Sequence, residues 1–323
     1  MQRFFLFSFI FLLSFVSHSI YWYRVDFFDK SEWLIQQKLF SEQISETRHS
    51  LFYGYPATPF LMLGLIMPLN TSLALLVSLG AAGAVVVSHI LRPNSLWYLG
   101  VAGIILFHPL YAASTPPSAI VAPWLALLVL YTLSLYEQSL ISFKKMILWG
   151  LLAGFCVAIR WDISAALASF LLLFLIPKLR GKVIFVFLAA TISFIIFDPY
   201  MWFMPIAHVI DLASKLTTHF YTINAPLPLL TLLTISLPTL ISIFVCLLTR
   251  ALPRTFTVWL LLSTVVIFFV LLQSSYQPRW YFYPLLLVWE LFLPLCILEA
   301  LKNKSRVFHL LIISGFILGY SVL

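Results

Sequence analysis

Residues 143–182 read FKKMILWGLLAGFCVAIRWDISAALASFLLLFLIPKLRGK, and this stretch decides the fold. Two apolar runs, 146–160 and 161–177, meet in a tight turn that holds Arg160 and Asp162. Lys144 and Lys145 precede the first run, and Lys178, Arg180 and Lys182 follow the second. Apolar runs approaching the thickness of a bilayer, with Lys and Arg gathered beyond their far ends, read as membrane crossings whose basic flanks lie inside. The hairpin goes out and returns, so Arg160 and Asp162 belong to the outer surface.

The same pattern extends along the chain. Of its 323 residues 62% are apolar and 9% charged, against about half and about a quarter in a soluble domain. That excludes a soluble enzyme. The 30 Phe, 10 Trp and 14 Tyr beside only 11 Gly exclude a disordered or collagen-like chain. Spans read near 4–22, 71–91, 96–113, 118–136, 146–160, 161–177, 183–197, 227–249, 256–273, 281–299 and 306–321. The expected fold is therefore an all-α polytopic membrane protein, a single transmembrane domain over 1–323 with about 11 helices.

With the N-terminus inside, the inner loops hold twelve of the 19 Lys and Arg, among them Arg92, Lys144, Lys145, Lys178, Arg250 and Arg254. The net charge of +8 is thus dispersed in small groups, whereas nucleic-acid binding needs a clustered patch. No nucleic-acid partner is expected. The first span reads as an uncleaved anchor, since its apolar run is long for a signal. Cys156, Cys246 and Cys296 lie inside apolar runs without metal-ligand or disulfide spacing and read as small core hydrophobes.

Two outer segments are too long to be turns: a first loop over 23–70 and a second over 198–226. In the first, Asp29-Lys30-Ser31-Glu32 followed by Trp33, Leu34, Leu39, Phe40 and Ile44 reads as an amphipathic helix with an acidic first turn. The stretch Phe60–Leu69 is too short to span and reads as interfacial or re-entrant. In the second loop Ile206, Val209, Ile210, Ala213, Leu216 and Phe220 recur at helical spacing, with His208, Asp211, Lys215 and His219 opposite. A helix on the outer membrane surface is expected there, its polar face solvated.

Ionisable groups at span ends are costly unless they face a partner or a cavity. Asp26 and Asp29 follow the first span, and Arg160 and Asp162 mark the hairpin. Asp198 opens the second loop, Arg279 precedes the tenth span, and His108 ends the third. All fall on the outer side. Carboxylates and cations in one layer suit deprotonation of a hydroxyl together with stabilisation of a departing phosphate. Asp29 equally fits an N-cap with Glu32 three residues on. Arg279 fits an interfacial anchor beside Trp280 and Tyr281. Arg160 and Asp162 fit a mutually neutralising pair, and Glu290, in mid-span, reads as structural.

In its order of elements the chain resembles the GT-C superfamily of lipid-linked-sugar glycosyltransferases, and more narrowly the protein O-mannosyltransferase and aminoarabinose-transferase branch. The acidic motif of that branch is matched by Asp29-Lys30-Ser31-Glu32-Trp33, and its proline-rich aromatic motif by Tyr55-Pro56-Ala57-Thr58-Pro59-Phe60. Ile159-Arg160-Trp161-Asp162, Asp198-Pro199-Tyr200 and Arg279-Trp280-Tyr281-Phe282-Tyr283-Pro284 follow in the family's order. Lys30 departs from it, standing where the family has a second acid. With no soluble domain after 306–321, an oligosaccharyltransferase bearing a large periplasmic domain is not expected.

The resemblance implies a GT-C-like bundle and transfer of a sugar from a polyprenyl-phosphate donor to a hydroxyl acceptor (lipid, glycan or protein) at the outer membrane face; a bacterial plasma membrane is the expected setting, because the chain is compact and carries no retention signal. Asp29 would be the general base, with Asp26 beside it; Arg279, with Arg160 or Lys215, would hold the donor phosphate. Asp162, Asp198, His108 and Tyr55 complete the candidate site. No cofactor is required, although Asp26 and Asp29 could hold a divalent cation. A lipid or anion transporter or flippase, and a non-catalytic assembly partner of the same fold, are the alternatives; a transporter predicts an inverted repeat with midplane charges.

Overall fold

Backbone inside a bilayer must satisfy its own hydrogen bonds, so apolar runs of this length fold as helices. A computed structural model describes residues 2–24, 58–64, 66–107, 116–179, 181–198, 200–203, 205–210, 214, 242–272 and 283–302. Among the described residues the fold is helical, without strands. The helices are α1 (Gln2–Arg24), α2 (Thr58–Gly64), α3 (Leu69–Leu91), α4 (Trp97–Phe107), α5 (Pro116–Tyr136) and α6 (Phe143–Ile159). There follow α7 (Trp161–Leu179), α8 (Val183–Phe197), the single turn α9 (Tyr200–Phe203), α10 (Arg254–Leu272), α11 (Tyr283–Glu290) and α12 (Leu293–Lys302). Residues 205–210 and 242–249 are helical too. Among the described residues four helices are long and apolar enough to cross a membrane: Gln2–Trp22 of α1, Leu69–Leu91, Pro117–Tyr136 of α5, and Trp161–Leu179. By length and composition this is a membrane protein.

Burial sorts the helices. α5 is apolar all round and packs against α3, α6, α7 and α11, with Ile120, Leu125, Leu128 and Val129 fully buried. It is the central post of the bundle. α1, by contrast, buries only a stripe at four-residue spacing, Ile10, Ser14, His18 and Trp22, against α3, while Phe4, Phe5, Phe9, Leu12 and Val16 face outward. Such a face suits lipid contact. Polar side chains inside the helices bond locally: Ser78 donates to the Ala74 carbonyl at 2.6 Å, and Thr132 to Leu128 at 2.7 Å. Indole N–H groups tie helices together, Trp124 to the Leu76 carbonyl at 2.9 Å and Trp149 to the Thr132 hydroxyl at 2.8 Å.

Among the described residues the most extensive helix pair is α6 with α8, and glycine permits it. A Cβ at Gly154 would overlap the Ala190 carbonyl oxygen, and one at Gly150 would lie 2.5 Å from that of Val186. Close backbone approach between small residues is how helices associate where no hydrophobic force acts between them. Replacing Gly154 by Ala is expected to pry the pair apart at a cost of about 1–3 kcal/mol. Thermal unfolding in detergent measures it, with Gly103→Ala, where nothing lies within 4 Å, as the control.

One expected span is broken. The run 281–299 divides into α11 and α12 at Leu291–Phe292 because Pro294 lacks an N–H to continue the ladder and its ring crowds the preceding turn. At this break the Leu291 carbonyl accepts the Trp97 indole N–H at 2.7 Å, and Gly100 of α4 packs on the Pro294 ring. Glu290, buried, ends α11 at this break. The stretch read as interfacial begins as the seven-residue α2 and turns at 66–67 into α3. It does not span.

The basic flanks gather at one end. Arg92, at the end of α3, makes a forked ion pair with Glu137 at 2.7 and 3.0 Å. Hydrogen bonding to Glu137 raises the guanidinium above its ordinary value, and Glu299 of α12 adds a smaller part. Lys178 donates to the carbonyls of Tyr136 and Gln138, and Lys145 to the Gln138 amide oxygen at 2.6 Å. The first residues of α10 join through Thr255, bonded to the Tyr136 hydroxyl at 2.7 Å. Arg160, Asp162 and Asp198 lie at the other ends of these helices.

Candidate functional site

The hairpin turn places charge where helix dipoles favour it. Arg160 caps the C-terminus of α6, and Asp162 sits in the first turn of α7; a cation at the former and an anion at the latter are each favourable. The guanidinium grips the carboxylate with both prongs, Nε to Oδ1 at 3.0 Å and Nη2 to Oδ2 at 3.1 Å. Its third nitrogen, Nη1, donates to Ser118 Oγ at 2.5 Å. Ser118 belongs to the first turn of α5, which opens with Pro116 and Pro117. Three helix ends are therefore tied by one arginine. Its side chain is 7% exposed, against 28% for Asp162, so the carboxylate faces the solvent side and the guanidinium the protein.

Arg160 thus has a place within the fold, the paired one that the sequence also offered. The side-on fork of Nε and Nη2 holds the carboxylate and Nη1 holds the serine, so three of the N–H donors that would suit a phosphate are engaged within the protein. The geometry makes Arg160 a strut that orients Asp162 and the end of α5.

Asp198 caps the C-terminus of α8. Phe197, just before it, stacks edge-on against Phe155 of α6 at 4.7 Å, so the packed pair α6 and α8 brings Arg160 and Asp198 to the same level. A carboxylate at a helix C-terminus meets the negative end of the dipole. It is held there by His208, whose Nε2 donates to Asp198 Oδ2 at 2.8 Å, both side chains being wholly buried. This corrects the expected solvated face: His208 points into the protein. Ile206, Val209 and Ile210 are 76%, 50% and 59% exposed. The reason is the surroundings, since at the rim of a membrane bundle lipid takes the apolar face and protein the polar one. Trp202 folds α9 back by donating to the Ile195 carbonyl at 2.5 Å.

Of the candidate residues, then, Arg160 and Asp162 meet directly and Asp198 joins their layer. Asp26, Asp29, Tyr55, His108, Lys215 and Arg279 lie outside the described residues, as do the amphipathic helix after Asp29 and the span 306–321. Sequence reading missed Ser118 and the inward role of His208. A signal existed for each: the Pro-Pro-Ser opening of a span at the outer side, and a histidine soon after an Asp-Pro helix end. Among the described residues no three His, Cys, Asp or Glu side chains are grouped to hold a metal. No family model matches the chain, and neither a curated protein nor a solved structure matches it.

Proposed function

We propose that the chain is a glycosyltransferase of the GT-C type, with about eleven spans and two outer loops. It moves a sugar from a polyprenyl-phosphate donor to a hydroxyl acceptor at the outer face of a bacterial plasma membrane. The observation that carries the reading is the layer of Arg160, Asp162 and Asp198 at the helix ends opposite the basic cluster, in a chain only 9% charged. The order of the motifs along the sequence supports the same reading.

Asp29 takes the acceptor proton as its oxygen attacks the anomeric carbon; the bond from that carbon to the phosphate oxygen breaks with inversion, and polyprenyl phosphate leaves with the electron pair. Arg279, helped by Lys215, matches the growing charge. Arg160 contributes by fixing Asp162 and the α5 end, while Asp198 with His208 sets the start of the second loop. Asp26, Tyr55 and His108 complete the acceptor side.

The test is transfer of a labelled sugar from polyprenyl phosphate to hydroxyl acceptors by the full chain in liposomes. Sugar-bearing product is expected. Movement of the intact labelled lipid between leaflets without transfer would replace this reading with the flippase.

A further inference from the structure

We infer that Cys246 and Cys296 form a thiol pair built to close as an intrachain disulfide within the membrane domain. The two Sγ atoms lie 3.2 Å apart, both buried, on different helical elements: Cys246 on the stretch 242–249 and Cys296 on α12. Nothing in their spacing, 50 residues apart, announces this. Each is a turn or two from the basic end. Cys246 is one turn before Arg250, whose left-handed backbone, φ 52°, ends its helix; Cys296 is three residues before Glu299, which acts on Arg92.

Their separation selects the chemistry. A disulfide needs the sulfurs at about 2.05 Å, so roughly an ångström of closure completes it. A tetrahedral zinc holds each sulfur at about 2.3 Å and requires four ligands. No third His, Cys, Asp or Glu joins the pair among the described residues. A linear two-coordinate soft metal would hold its sulfurs farther apart than 3.2 Å, at twice the metal–sulfur bond. Covalent closure fits and metal capture does not.

Burial also selects the reactant. Both sulfurs are covered by protein within apolar helices, so the oxidant that suits these surroundings is one that partitions into apolar matrix, a quinone-class acceptor, reaching the pair when the two helical elements part. Two S–H bonds break and one S–S bond forms; the two electrons and two protons pass to the quinone, which becomes the quinol. Oxidation would fasten the stretch 242–249 to α12 and bracket the segment that carries Arg279. The inference does not depend on the proposed sugar transfer.

The experiment treats the full chain in liposomes with a short-chain benzoquinone, and in parallel with copper–phenanthroline. Each sample is then denatured, alkylated with a maleimide and analysed by peptide mass spectrometry. The expected result is one intrachain link between the Cys246 and Cys296 peptides, loss of two of the three alkylation sites, continued alkylation of Cys156, and reversal by a phosphine reductant. The Cys156→Ala chain should give the same link. Full alkylation of all three after both oxidants, or links through Cys156 or between chains, would overturn the inference.

Discussion

Replacing His208 by Leu is expected to destabilise the protein by up to about 3–5 kcal/mol, the range met when one member of a buried hydrogen-bonded pair is deleted. Leu keeps much of the ring's volume, so the loss does not come mainly from a cavity. It comes from the Asp198 carboxylate, fully buried at the C-terminus of α8 and bonded at 2.8 Å to the imidazole that the substitution deletes. The helix dipole adds to the penalty, since it opposes an anion at that end. Asp198→Asn paired with His208→Leu removes the charge as well, and should recover most of the loss. Thermal unfolding of the three variants in one detergent makes the double-mutant cycle. An additive outcome would show that the two side chains do not depend on each other.

The helices themselves were legible because length and apolarity suffice to specify them in a bilayer. The reading of 71–91 as a span meets α3 at Leu69–Leu91, whereas that of 183–197 meets a helix, α8 at Val183–Phe197, that is shorter than the four long enough to cross a membrane. The break within 281–299 was written in the chain as Pro294, but hydropathy averages over a proline. Only the structure shows that Trp97 from α4 bonds the Leu291 carbonyl at that break. The Arg160–Asp162 pairing was also legible, as neighbours in a turn. Their bond to Ser118 was not, since it depends on how the start of α5, 42 residues earlier, packs on the hairpin.

His208 shows a different limit. Helical periodicity separates two faces correctly, yet it does not say which of water, lipid and protein each face meets. For a soluble domain the polar face meets water; at a membrane rim the order is reversed, and a histidine that reads as solvated becomes the partner of a buried carboxylate. Cys246 and Cys296 escaped for a related reason. Two thiols in separate apolar runs look like core filler until the rotation of α12 about its own axis is known.

Asp29→Asn is expected to lower the rate of sugar transfer by about 10²–10⁴, the usual contribution of a general base, with little change in folded protein. The substitution separates the two readings of this residue. Asn caps a helix N-terminus about as well as Asp, so a carboxylate that serves only as a cap is replaced without loss. A base is not, because the amide cannot take the acceptor proton. Donor binding should hold, since the phosphate is assigned to Arg279 and Lys215, and kcat should fall with KM nearly unchanged. Asp26→Asn run beside it shows whether the two carboxylates act together, and a chelator shows whether they hold a divalent cation between them. If Asp29→Asn retains full transfer, the base must be sought elsewhere in the acidic motif, beginning with Glu32, because Lys30 cannot serve while it carries its proton.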